Sequence, residues 1–174
     1  MIFLKLLSKF IKVLRSEASP NQIAWGFALG AVPGLTPPGS LHNLFVLILI
    51  ILLRINLAAA ILSFALFSVF AWIFDPFFDS LGFTLLVRIS ALQGLWTDLY
   101  NAPVAPLFRF NNTVVMGSLL VSLLLVPVNY FWFKWFVRRY RESWNARIEK
   151  WKIVRVLKGS KIVGVYRKIR HMEA

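Results

Sequence analysis

The sequence predicts an all-α integral membrane protein with two clear spanning helices, broken or re-entrant helical hairpins, an amphipathic N-terminal helix and a basic C-terminal helix. Three observations lead there. Of 174 residues, 59% are hydrophobic and 16% charged, and the mean hydropathy is +0.70, too apolar for a soluble domain of this size. Residues 57–74 and 113–137 are apolar runs long enough to cross a hydrocarbon core of roughly 30 Å. Charge is segregated: residues 1–20 carry a net +3, 21–133 are neutral and 134–174 carry +10. By the positive-inside rule both termini are expected in the cytoplasm. The absence of cysteine excludes disulfides, thiolate metal sites and a cysteine nucleophile, and leaves the redox compartment undecided.

Residues 2–15, IFLKLLSKFIKVLR, set Lys5, Lys9 and Lys12 at helical spacing among apolar positions. Lysines spread in this way interrupt the apolar core a signal peptide needs. Segment 1–18 therefore reads as an amphipathic helix in the membrane interface, or as one packed on the cytoplasmic side of the protein. Ser19, Pro20 and Gln22 form a helix start, with a serine cap, proline in the first turn and glutamine placed to close a capping box. Gly26, Gly30 and Gly34 follow four apart, a small-residue face that lets another helix backbone come close; Pro33 stands before the third of them.

Membrane domain 19–137 opens with a hairpin at 20–53. Helices over 20–32 and 41–53 would each be about 20 Å long, short of a bilayer core. Arg15 precedes the pair and Arg54 follows it, so the economical reading is a hairpin that dips into the membrane and returns to the side it left. Its turn, VPGLTPPGSLHN over 32–43, is where a binding site is expected. Pro33, Pro37 and Pro38 break the helix, Gly39 allows the turn, and Ser40, His42 and Asn43 stand at the N-terminus of the second half-helix. That end carries partial positive charge and favours an anionic group such as a lipid phosphate. The plainer reading is a tight turn in which neighbouring carbonyls satisfy His42 and Asn43.

The run 57–74 is expected to span and to end at a turn marked by Asp75, Pro76 and Asp79 on the periplasmic side. Segment 81–112 contains Arg88, Gln93, Pro103 and Pro106 and reads as a second broken hairpin, which would enter from the opposite face if the halves form an inverted repeat. The span 113–137 is expected to kink at Pro127 and to leave through a belt of Tyr130, Trp132 and Trp135. In the tail 138–174, Arg138, Arg139, Arg141, Arg147, Lys150 and Lys152 accompany an aromatic stripe of Tyr140, Trp144 and Trp151. Anionic headgroups are the expected partners, at about 1 kcal/mol per cation near the surface. Nucleic acid competes for such charge, but no nucleic-acid module is recognisable and none is expected to bind.

At SPNQIAWGFALG, the PPG of Pro37–Gly39, the RIN of Arg54–Asn56 and the FDPFFDSLG of Phe74–Gly82, the chain resembles the bacterial membrane family known as domain of unknown function 2062. A narrower subset shares the SLHN of Ser40–Asn43, a stretch like LWTDLYNAP at Leu95–Pro103 and the RFNNTVVMGS of Arg109–Ser118. The resemblance implies an inner-membrane protein of bacteria with outer membranes, often encoded in a two-gene pair with a larger envelope protein. It brings no activity with it. Where the broader family tends to carry Asn-Pro after the first span, this chain has Phe67 and Ser68.

Three function classes follow. The first is a small inner-membrane subunit that anchors a larger envelope partner and helps transfer phospholipid between the membrane and that partner. A stand-alone scramblase or small transporter is the second; the two clear spans hold no ionisable residue over 57–74 or 113–133, which disfavours it. An enzyme acting on lipid ranks last. Ser40 and His42 are two apart and diverge on a helix, and no zinc-protease motif, phosphate loop or paired acid with a clear proton partner appears. No cofactor and no metal are expected.

Overall fold

The structure is a computed structural model that describes residues 2–144, in which every regular element is helical. Six α-helices follow one another: α1 (Ile2–Leu14), α2 (Pro20–Leu35), α3 (Leu41–Leu52), α4 (Leu57–Phe83), α5 (Gln93–Asn101) and α6 (Thr113–Arg139). The chain divides into two compact units, 1–137 and 138–174. Of the second unit, the described part is the end of α6 and a π-helical turn, Tyr140–Trp144.

The helix start at Ser19 forms as a complete capping box: the Gln22 N–H donates to Ser19 Oγ at 3.2 Å and the Ser19 N–H to Gln22 Oε1 at 2.9 Å. From there α2 runs through Pro33, which lies two residues before the helix end and leaves the Leu29 carbonyl without its helical donor. Thr36 closes the helix, its N–H donating to the Val32 carbonyl at 3.1 Å. All three glycines of the 26–30–34 series thus lie on one helix, and all three meet α4. A Cβ on Gly26 would strike the Asn56 carbonyl, one on Gly30 the Ala60 carbonyl, and one on Gly34 would come within 2.9 Å of the Phe64 carbonyl. The partner numbers rise together, so α2 and α4 run parallel with backbones in close contact. The buried Ser63 hydroxyl donates to the Phe27 carbonyl at 2.5 Å across the same seam.

Helix α3 brings the chain back to where α2 began. The Asn56 N–H donates to the Gln22 carbonyl at 3.3 Å, and Gln22 Nε2 lies 3.4 Å from the Arg54 carbonyl. Arg54 takes a left-handed φ of 50°, and Asn56 then caps α4 by accepting from the Ala59 N–H at 2.9 Å. Hairpin and spanning helix therefore start at one level.

The first long helix does not end at residue 74. It continues past Asp75, Pro76 and Asp79 to Phe83 and on through a π-helical turn, Thr84–Arg88, for 32 residues, or about 48 Å. Pro76 costs the helix one hydrogen bond and a kink, whereas stopping there would free the last four carbonyls in apolar surroundings. Segment 81–112 is likewise no second hairpin. Beyond α4 it consists of a 3-10 turn at Ser90–Leu92, the nine-residue α5 and another 3-10 turn at Ala105–Phe108. Among the described residues the first hairpin has no repeat, because the apolar part of 81–112 is consumed in finishing α4 and the rest carries Pro103 and Pro106.

Helix α6 returns antiparallel to α4. A Cβ on Gly82 would strike the Thr113 carbonyl and one on Gly117 the Phe78 carbonyl, while the Thr113 hydroxyl donates to Asp79. Its later turns reach the base of α2, where Phe133 stacks on Phe27 at 3.8 Å and Tyr130 lies 4.4 Å from Trp25. The second half of α1 is packed rather than free. Val13 and Leu14 are buried, and Phe10 sits 6.1 Å from Phe133 and 5.9 Å from Phe136.

The exterior has the polarity of a protein dissolved in lipid. Trp72 is 82% exposed, Leu52 70% and Phe131 67%, while Ser63, Ser118 and Ser122 are fully buried. Two helices, Leu57–Arg88 and Thr113–Glu142, are long and apolar enough to cross a membrane, and only 17% and 22% of their apolar windows are buried. A core helix of a soluble protein would be mostly covered.

Candidate functional site

The hairpin turn lies where α4, α6 and the loop before α6 converge. Prolines 37 and 38 stop α2 from continuing, and Gly39 turns the chain with φ +85°, a conformation costly to any residue with a Cβ. Asn43 holds the turn from inside. Its Nδ2 donates to the Pro37 carbonyl at 3.1 Å, and its Oδ1 lies 2.7 Å from the Thr36 hydroxyl, which also sits 2.9 Å from the Val32 carbonyl. Asn43 is thus a satisfied turn residue. Ser40 and His42 differ. Ser40 stands at the N-cap of α3, but its hydroxyl makes no capping bond and is buried without a partner. His42 is buried beside the Phe108 backbone, and neither ring nitrogen makes a well-formed hydrogen bond.

The loop of residues 105–112 covers this tip. Phe108 stacks on Phe45 of α3 at 5.8 Å. Arg109 has a left-handed φ of 56°, and its guanidinium reaches to 3.5 Å from where a Cβ on Gly39 would stand. Among the described residues no carboxylate pairs with Arg109. A cavity of about 460 Å³ opens beside it, lined by Pro37, Arg109, Asn111, Asn112 and the first turn of α6, Val114 and Val115. Asn112 caps α6, its Oδ1 accepting from the Val115 N–H at 3.0 Å. One cation and the positive end of a 27-residue helix therefore share one cavity, which suits an anion.

Arg109 was not among the sequence candidates. It lies 66 residues or more from the turn it reaches, and in the sequence only its place in an Asn- and Pro-rich segment marks it. Of the candidates, Gly26, Gly30 and Gly34 lie in the α2–α4 seam, and Gly34 and Pro33 also border a cavity at the end of α2. Arg138 and Arg139 are exposed in the last turn of α6, and Arg141 follows in the π-helical turn. Arg147, Lys150 and Lys152 lie outside the described residues, as does Trp151 of the tail's aromatic stripe.

Fold and site together define a small all-helical membrane protein in which two long apolar helices flank a proline-tipped hairpin. The chain belongs to the family described as uncharacterized protein conserved in bacteria, DUF2062, whose model matches residues 5–145. An uncharacterized protein of Treponema pallidum (strain Nichols) is 30% identical over 121 residues, covering 70% of this chain and 74% of that protein. No solved structure matches.

Proposed function

We propose that the protein is a small subunit of the bacterial inner membrane, with both termini in the cytoplasm, which anchors a larger envelope partner and presents phospholipid to it at the hairpin tip. It acts by binding and transfer, with no catalytic turnover of its own. One observation carries the reading: an arginine that no carboxylate pairs among the described residues and a helix N-terminus meet in a cavity at the tip of a hairpin, between two membrane-length helices. A plain anchor needs only one apolar helix. An unpaired cation is costly in apolar surroundings, and a lipid phosphate is the anion that surroundings of this kind supply. The buried Ser40 hydroxyl, without a partner among the described residues, and the His42 imidazole beside the Phe108 backbone add polar groups just beneath the same turn.

The test is lipid retention. The protein, extracted in mild detergent with its native membrane, is expected to carry phospholipid detectable by native mass spectrometry. Replacing Pro37 and Pro38 together by alanine, His42→Leu, or Arg109→Gln should leave expression and insertion intact and remove the bound lipid or the partner. Retention of both lipid and partner in all three variants would overturn the reading. Rapid flipping of labelled lipid by the purified protein alone in liposomes would replace it with a scramblase.

A further inference from the structure

A second cavity lies against the same turn, and its electrostatics are reversed. It measures about 500 Å³ and is lined by the last turn of α2, Thr36, Asn43 and, from α4, Ser68, Trp72 and Asp75. Pro37 lines both cavities. The α2 end is the negative pole of a 16-residue helix. Its carbonyls are also short of donors, because Pro37 and Pro38 have no N–H to return to Pro33 and Gly34. On the facing wall Asp75 is half-buried, and among the described residues it has no cation or donor partner. Trp72 stands one helical turn before it on the same side of α4, 82% exposed, and Pro76 leaves the Trp72 carbonyl without its helical donor.

This wall asks for a cation. An unpaired carboxylate in a membrane-length helix is costly until a positive group meets it. A divalent metal is poorly served, since calcium and magnesium take six or more oxygen ligands and usually several carboxylates, and Asp75 is the one carboxylate on this lining. An ammonium group fits better: it offers N–H donors to the carboxylate and to the free carbonyls, and the indole face of Trp72 attracts it.

We propose that the hairpin tip selects a zwitterionic phospholipid headgroup of the ethanolamine type, its ammonium in the Asp75–Trp72 cavity and its phosphate on the Arg109 side of Pro37. The inference rests on the headgroup-binding reading of the tip and adds its selectivity.

The experiment uses the full chain in vesicles of equal parts phosphatidylethanolamine and phosphatidylglycerol, extracted and counted for bound lipid by native mass spectrometry. The wild type should retain the ethanolamine lipid in at least roughly fivefold excess over the glycerol lipid, a factor within reach of one charge-assisted contact. Asp75→Asn should abolish that excess by lowering retention of the ethanolamine lipid alone, and Asp75→Glu should keep it. Should Asp75→Asn not fold, Trp72→Leu, on an exposed ring, should lower the excess in its place. Arg109→Gln should reduce both lipids alike. Equal retention by the wild type, or an undiminished excess in Asp75→Asn, overturns the selectivity while the effect of Arg109→Gln preserves headgroup binding. Loss of all lipid from the wild type overturns both.

Discussion

At the scale of single residues, glycines decide how closely the long helices approach. Gly82 and Gly117 are buried where α4 and α6 cross, and a Cβ at either would strike backbone, which cannot swing aside as a side chain can. Gly94, at the start of α5, has nothing within 4 Å. Gly82→Ala is therefore expected to destabilise by about 1–3 kcal/mol, the usual cost of overpacking. Gly94→Ala should be neutral or stabilising by up to about 1 kcal/mol, the helix-propensity difference. Thermal unfolding in detergent measures both, and comparable losses at the two positions would refute the contact argument. The sequence shows the four-residue period of Gly26, Gly30 and Gly34. Gly82 and Gly117 carry no such signal, since each is a lone glycine whose partner lies more than 30 residues away.

At the scale of elements, the starts of α2, α3, α4 and α6 were legible, and so were the ends of α3 and α6, whereas the ends of α2 and α4 were not. Starts depend on local side chains: Ser19 with Gln22 bonds within one turn, and so do Asn56 with Ala59 and Asn112 with Val115. Ends in apolar surroundings depend on what happens to the freed carbonyls, which no short window reveals. Pro33 and Pro76 both look like terminators in sequence and both lie inside helices. Asn56 has a double duty that makes it testable. Besides capping α4, its Nδ2 lies 3.4 Å from the Ser16 hydroxyl, and its own N–H ties α4 to the Gln22 carbonyl. Asn56→Ala should cost about 1 kcal/mol of stability, in the ordinary range for a lost cap, while Asn56→Asp, which keeps the accepting oxygen, should cost less. Equal losses in the two variants would show that the cap is not what Asn56 provides.

At the scale of the whole molecule, the order of helices sets the order of exposure. Because α2 and α4 run parallel and α3 carries the chain back from the end of α2 to the start of α4, residues 19 and 54 share a level; because α6 runs back along α4, its Tyr130 and Phe133 return to that same level beside Trp25 and Phe27. The turn after α4, with α5, belongs to the opposite end. The separation of ends could be read from charge, since the basic residues cluster near the two termini. The meeting of Arg109 with the 37–39 turn could not, because it depends on α4 overshooting the hairpin and the loop folding back over it. If the basic ends lie in the cytoplasm, as proposed, single cysteines at Ser90 and Leu95, both exposed, should react with a membrane-impermeant maleimide in intact spheroplasts, and cysteines at Glu17 and Glu142 only after permeabilisation. A cysteine at Arg54 should follow Glu17, because the hairpin has come back to its starting side. Labelling of position 54 from outside together with protection of 17 would mean that α2 and α3 lie across the membrane in some other way, and the tip would then lose its place beside lipid headgroups.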